Sequence, residues 1–305
     1  MGRLKLGVAL GSYESADTGE APAWDTIKAI ASSAEVSGFD TLWIADELVW
    51  ERNDGKHNQG WWEAVALLGG IAATTSTIAV GSWVLSALHR NPGLTVKAAE
   101  TIDAISNGRF IFGLGAGHAG RQGEAFGYPP RFTIGRYAEA LEIIVPLLRE
   151  GVANFDGTYH SAKNQENRPR GPKGRHMPLM LAGHGPRNIG LAVQYGDIWS
   201  AYATDGTGAS AFKEMSELVD RACADQGRDP ATLERSVGIA VQRTDIATPE
   251  HEPLIPPITG DVDQLVAELA AFAGLGFTSV EFAINSESTA DIERLAPIVE
   301  AAKDL

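Results

Sequence analysis

Apolar residues fall along this chain in two alternating rhythms. Short solid runs at Leu4–Leu10, Thr41–Ala45, Ile78–Leu85, Arg109–Leu114, Pro178–Ala182, Ile198–Tyr202, Ser236–Gln242 and Ser279–Ile284 predict strands covered on both faces. Between them, apolar residues recur three or four apart, as helices require. Ile27, Ile30, Ala31 and Ala34 follow Asp25 and stop at Gly38; Trp61–Thr77 and the stretch Leu94, Ala98, Ile102 and Ile105 come next, the latter ending at Asn107-Gly108. Ile134 to Leu148 forms a clear face whose last turn Pro146 is expected to kink, and Ile189–Tyr195 and Phe212–Ala222 continue the series. Asp261 and Gln264 read as a capping box for a helix carrying Leu265, Val266, Leu269 and Phe272, and Ile292, Leu295, Ala296 and Val299 lie on a last one.

Strand and helix alternate eight times in 305 residues, the count of a single (β/α)8 barrel domain over 1–305 with its site at the strands' carboxyl ends. An open doubly wound sheet is the alternative. One piece breaks the rhythm: Gly151 to Met177 is too long for an ordinary connection and reads as an ordered lid or insertion after the fourth βα unit.

Composition narrows the partners. Net charge is −14, so a phosphate backbone or an anionic membrane is repelled. The one basic cluster, Arg168 to Arg175, is interrupted by Pro169, Gly171, Pro172 and Gly174 and reads as a mobile loop. The single cysteine, Cys223, sits on an apolar helical face as a small core residue. No apolar run approaches the ~18 residues of a membrane span, and no signal peptide is visible at the amino terminus. A cytoplasmic enzyme is the expectation.

Candidate chemistry collects after the strands. The fourth strand runs into glycines at Gly113, Gly115, Gly117 and Gly120, followed by Arg121, and such a loop lets backbone approach a ligand. Gly115 to Gly120 matches the dinucleotide fingerprint letter for letter, but no second strand with a terminal acid follows, so that reading fails on context. Gly183-His184-Gly185-Pro186-Arg187 is a second glycine loop opening a helix, suited either to a phosphate on free N–H groups and the Arg187 guanidinium or to a plain tight turn. Asp46 and Glu47 end the second strand and His118 follows the fourth, so a barrel brings carboxylate and imidazole within reach for proton transfer. Adjacent strand residues point to opposite sides, so at most one of the two acids faces the axis without a bulge. No H-E-x-x-H and no G-x-S-x-G is present, which leaves a barrel hydrolase as a weak alternative.

With the elements in place, the chain resembles the bacterial luciferase-like family of flavin- and deazaflavin-dependent oxidoreductases. The resemblance rests on Ser37-Gly-Phe-Asp-Thr-Leu-Trp-Ile-Ala-Asp-Glu47, the run Asn91-Pro92 through Lys97 to Asp103, Asn107-Gly-Arg-Phe-Ile-Phe-Gly-Leu-Gly-Ala-Gly117, Ala125-Phe-Gly127, and Ala182-Gly-His-Gly-Pro-Arg187 with Tyr195-Gly-Asp-Ile-Trp199. It implies a barrel holding reduced FMN or coenzyme F420 in its mouth, often as a homodimer, with a small organic substrate and, for FMN, a separate flavin reductase. It also implies cofactor contacts at Asp46, Ser82, Trp83, Gly115, Gly117, Arg121, Gly183, His184, Gly185 and Arg187, with a non-prolyl cis peptide at Ser82-Trp83. Relatives usually read Asp-His where this chain reads Asp46-Glu47, and some place Glu where His118 stands. The resemblance therefore implies Glu47 and His118 as an acid/base pair with exchanged roles. A non-catalytic flavin-binding barrel stays open as the other class.

Overall fold

Eight parallel strands close on themselves: β1 (Lys5–Ala9), β2 (Thr41–Ile44), β3 (Ala79–Ser82), β4 (Phe110–Gly115), β5 (Leu179–Ala182), β6 (Ile198–Tyr202), β7 (Glu234–Ile239) and β8 (Ser279–Phe282). Each pairs with the next, β4 with β5 through Leu179↔Phe112 and β8 back onto β1 through Lys5↔Ser279. The computed structural model describes residues 2–15, 18–51, 58–117, 120–129, 131–203, 208–247, 256–284 and 286–305. No helix among them is long and apolar enough to cross a membrane.

Helices α1 (Trp24–Val36), α2 (Ala64–Thr74), α3 (Pro92–Ile105), α4 (Thr133–Arg149), α5 (Pro186–Tyr195), α6 (Lys213–Asp225) and α7 (Val262–Gly274) surround the strands, with a short pair, Thr289–Glu293 and Ala296–Ala301, in the last position. Local sequence sets their ends. The Asn91 side chain accepts from Gly93 N at 2.9 Å with Pro92 in the first turn of α3, and the Asp261/Gln264 capping box opens α7 as expected. The helix expected over Trp61–Thr77 is shorter, because the Glu63 carboxylate accepts from Ala66 N and caps it there. The run Ile78–Leu85 likewise splits into β3 and a two-residue strand, Leu85–Ser86, on the far side of a crossing segment.

Small residues on some strands make room for large ones on others. Trp43 on β2 lies across the barrel interior, where a Cβ on either Gly7 or Gly81 would overlap its ring. Its indole N–H donates to Glu281 on β8, and Ser236 Oγ donates to the other carboxylate oxygen at 3.0 Å. Burial, against these hydrogen bonds, pushes the Glu281 carboxyl up to about 7.

The Gly151 to Met177 insertion is ordered and packs along the outside of α3 and α4. It begins as an antiparallel hairpin, Val152–Asp156 with Ser161–Glu166, whose tip is tied to α4 by Thr158, Tyr159 and His160 N–H groups donating to Glu139. The remainder is pinned to α3, with Asn167 and Gly171 donating to Glu100 at 2.7 and 2.6 Å and Lys173 N to Asp103 at 3.0 Å. The segment leaves the carboxyl end of α4 and returns to the amino end of β5, both on the face opposite the mouth, while its hairpin runs up α4 so that Tyr159 lies against Phe132 and Arg136 at that helix's amino end. Hydrogen bonds between this stretch and α3 hold the Arg168 to Arg175 cluster in place rather than leaving it a mobile loop.

Candidate active site

The mouth is built around the chain that leaves β3. Residues Ser82 to Ser86 cross towards β4, and the Trp83–Val84 peptide is cis, one residue later than the Ser82-Trp83 expectation. The β4 glycines admit this segment. A Cβ at Gly113 would overlap the Ser82 carbonyl oxygen, one at Gly115 would lie 2.8 Å from Val84, and one at Gly117, where φ is 71°, would overlap Ser86 Oγ. Ser82 Oγ both donates to Gly113 O and accepts from Gly113 N at 2.8 Å. Ser82, Gly115 and Gly117, expected as cofactor contacts, each seat this crossing segment.

What this segment presents is Trp83. Its indole N–H donates to Ser200 Oγ at 3.2 Å, its ring meets Tyr202 edge-on at 5.4 Å, and it covers Gly238, where a Cβ would overlap it. The cis bond involves Trp83, as in the expected pair, but joins it to Val84 rather than to Ser82.

Asp46, expected as a cofactor contact, is buried in a polar network at the end of β2. Its buried carboxylate takes both nitrogens of Arg90 at 2.7 and 3.0 Å, accepts Ser86 N at 2.8 Å, and lies 3.2 Å from His89 Nδ1. Burial pushes Asp46 up, but His89 and Arg90 outweigh it and hold the carboxyl at about 2. Arg90 also pairs with Glu63, so one guanidinium ties the ends of β2 and β3 to the start of α2. Glu47, next along, sits half-buried on the rim, its Oε2 accepting from Gln122 Nε2 at 2.5 Å. Gln122 belongs to the short helix Gly120–Phe126, which also carries Arg121 and begins just after residue 118. His118 itself lies outside the described residues.

The second glycine loop is anchored on both sides and open in the middle. Gly183, at φ 149°, donates its N–H to Ser200 O at 3.2 Å and accepts Trp199 Nε1 at 2.9 Å. His184 Nε2 accepts the Tyr202 N–H at 2.9 Å, which fixes that nitrogen as unprotonated, and burial pushes its ring below the usual histidine value. Gly185 caps α5 without a side chain, Pro186 occupies the first turn, and nothing stands within 4 Å of where a Gly185 Cβ would be. Arg187 is exposed beside it, and Asn188 Oδ1 is buried with no hydrogen-bond partner among the described residues. The free N–H groups, the open approach and the guanidinium fit a phosphate, and the orphaned Asn188 oxygen fits a donor beside it.

Other mouth residues carry no pattern in the sequence. Tyr13, just past β1, packs against Trp61 with ring centroids 4.4 Å apart and planes tilted by 39°, and burial, with smaller electrostatic contributions from Glu287 and then Tyr202, pushes the Tyr13 phenol up. Ser12 Oγ and Trp61 Nε1 are buried there without hydrogen-bond partners among the described residues, as are both His89 nitrogens, although Nδ1 lies 3.2 Å from Asp46. The only signal was position, since Ser12 and Tyr13 follow a strand's carboxyl end.

Residues 4–252 match the family described as luciferase-like monooxygenase. The chain belongs to that family. Its luciferase-like barrel is 31% identical over 247 residues to an F420-dependent hydroxymycolic acid dehydrogenase of Mycobacterium tuberculosis, covering 79% of this chain and 65% of the relative. It is 30% identical over 217 residues to the pyrimidine monooxygenase RutA of Caulobacter segnis, covering 68% and 59%. The chain spans between about half and two-thirds of the length of the curated relatives it matches. Among solved structures, an F420-dependent secondary alcohol dehydrogenase in complex with an F420-acetone adduct superposes with TM-score 0.78 at 16% identity, over 100% of this chain and 98% of that one. The monooxygenase RslO1 from Streptomyces bottropensis does so with TM-score 0.78 at 15% identity, over 98% and 100%. Both share the barrel fold.

Proposed function

We propose that this luciferase-like protein is a single-domain oxidoreductase that binds coenzyme F420 across its mouth and exchanges hydride with a small organic substrate. One observation carries the reading. Ser200 and Tyr202 on β6 each touch both Trp83 and the Gly183 loop, so an aromatic platform and an open helix N-terminus are held as one rigid unit. In this reading α5 and Arg187 hold the phosphate end, and Trp83 and the 83–84 peptide back the ring. The deazaflavin supplies two-electron chemistry when bound. Glu47, which accepts from Gln122 on the rim, is proposed together with His118 to move the accompanying proton. Tyr13 and Trp61 wall the substrate side, with the unpartnered Trp61 N–H and Ser12 hydroxyl available to a polar substrate group. The names of the F420-dependent relatives at about 30% identity support the cofactor choice.

Reduced FMN with oxygen insertion is the second reading, favoured by the pyrimidine monooxygenase at 30% identity, and it brings a separate flavin reductase as partner. A cytoplasmic homodimer goes with either. The deciding experiment titrates the apoprotein with F420, FMN and reduced FMN while following quenching of its seven tryptophans. Saturation by F420 alone, weakened about tenfold or more in Arg187→Ala, is expected on the loss of a charge-assisted contact. Preference for reduced FMN moves the assignment to oxygenation. Binding of none of them sinks both.

A further inference from the structure

The barrel's other end holds a cavity of about 690 Å³ that the proposed reaction does not use. Its floor is the underside of the barrel interior: Ala79 and Ile198, which begin β3 and β6, with Ile111 of β4. Its walls are basic in a chain whose net charge is −14. Lys5, Arg109, Arg149, Lys173 and Arg175 face two carboxylates, Asp197 and Glu234, with His176 alongside.

Donor accounting separates the structural cations from the free ones. Arg109 spends all its N–H groups on Ser106, Thr75, Ile78 and Ala72. Arg149 donates to the Arg175 and Met177 carbonyls and pairs with Asp197 at 2.6 Å, and Lys5 pairs with Glu234 at 3.0 Å. Both carboxylates are therefore already matched. Three donors remain. The Lys173 ammonium has a single acceptor, Phe110 O at 3.3 Å, and the side chains of Arg175 and His176 have no partner among the described residues. All three stand on one short segment that is fixed before any ligand arrives, by Gly171 N on Glu100, Lys173 N on Asp103 and Arg149 on the Arg175 carbonyl. Preorganised donors lose little on binding. Burial also pushes the Lys173 ammonium down from its ordinary value, so an anion beside it would relieve an under-compensated charge.

We propose that this lower cavity is a second binding site, for a small multiply charged anion of the phosphate or polycarboxylate class, gripped by Lys173, Arg175 and His176. The site is independent of the cofactor reading, because it opens on the opposite face of the barrel.

Calorimetric titration of the full chain with pyrophosphate and with citrate tests it, each repeated on Arg175→Ala and on Lys173→Met/Arg175→Ala. One saturable site per chain is expected for at least one probe, weakening as salt rises. Arg175→Ala should cost about tenfold in Kd and the double variant more, whereas Arg187→Ala should leave binding unchanged. A response to pyrophosphate alone identifies a phosphate-bearing ligand, and a response to citrate identifies a polycarboxylate. Because Arg175 is exposed and unpartnered, its removal leaves the fold intact and keeps the test clean. Equal binding by wild type and Arg175→Ala, a loss in Arg187→Ala instead, or no saturation by either probe overturns the proposal.

Discussion

The indole N–H of Trp43 donates to Glu281 across β1, whose Gly7 has no side chain where the two meet. Three strands are thereby joined inside the barrel by a charge-capable group that water does not reach. A carboxylate there costs free energy whenever it ionises, and the indole and Ser236 offset only part of that cost.

The pH dependence of stability follows from the sign of that shift. Glu281 titrates at about 7 in the folded protein and near the ordinary glutamate value when unfolded. The folded state holds the proton more tightly, so its stability is fully present at acidic pH and declines as pH rises towards and through about 7. Glu281→Gln removes this decline, up to about 3 kcal/mol for a shift of this size. Urea denaturation of both proteins between pH 5 and pH 8 should show the variant gaining on wild type as pH rises; parallel curves would refute the assignment.

The Trp43 ring also predicts the cost of filling its neighbours. Gly81→Ala puts a methyl group into a fully buried indole that has no free direction to move. Overpacking of about 1–3 kcal/mol is expected, seen as a lowered urea midpoint with an unchanged slope.

Much of this architecture was legible because the barrel's strands are near-continuous apolar runs and its helices keep a clean period. The site was legible only in part. Gly183 to Arg187 advertises itself through glycine, proline and arginine at a strand–helix junction, and the structure keeps that loop open. Gly115 and Gly117 advertise themselves equally, yet the neighbour they admit is the chain at Val84 and Ser86, which a one-dimensional pattern does not reveal. The insertion at Gly151–Met177 was legible from its length, but its path was not: it leaves α4 and returns to β5 on the lower face, while its hairpin climbs α4 until Tyr159 meets Phe132 and Arg136 at that helix's amino end.

Asp46 gives a second stability prediction with the opposite pH sense. Its carboxyl is held at about 2, so its contribution persists down to acid and is lost only as pH falls through about 2. Asp46→Asn leaves Arg90 partly buried with Glu63 as its remaining ion-pair partner, and breaking such a pair costs about 3–5 kcal/mol. Thermal melts at pH 7 should show a large drop for Asp46→Asn and a much smaller one for Glu63→Gln, whose carboxylate is nearly half exposed. Equal drops would mean that the buried pair is not the anchor of this loop.

Gly238→Ala separates the platform from the scaffold. A methyl group there overlaps the Trp83 ring, just as one at Gly81 overlaps Trp43, but the two indoles differ in freedom: Trp43 is fully buried and Trp83 stands half-exposed at the mouth. Trp83 can therefore swing outward, giving up its Ser200 hydrogen bond and its edge-on contact with Tyr202, whose ring, 2.8 Å from the added methyl group, must also give slightly, at a cost of about 1 kcal/mol for one neutral hydrogen bond. The melting temperature of Gly238→Ala should stay within a few degrees of wild type, while cofactor affinity falls about tenfold or more because the platform has left its place. Gly81→Ala should do the reverse, losing stability and, where it folds, keeping affinity. If Gly238→Ala binds the cofactor as tightly as wild type while its near-ultraviolet circular dichroism shows a displaced tryptophan, Trp83 does not back the cofactor ring.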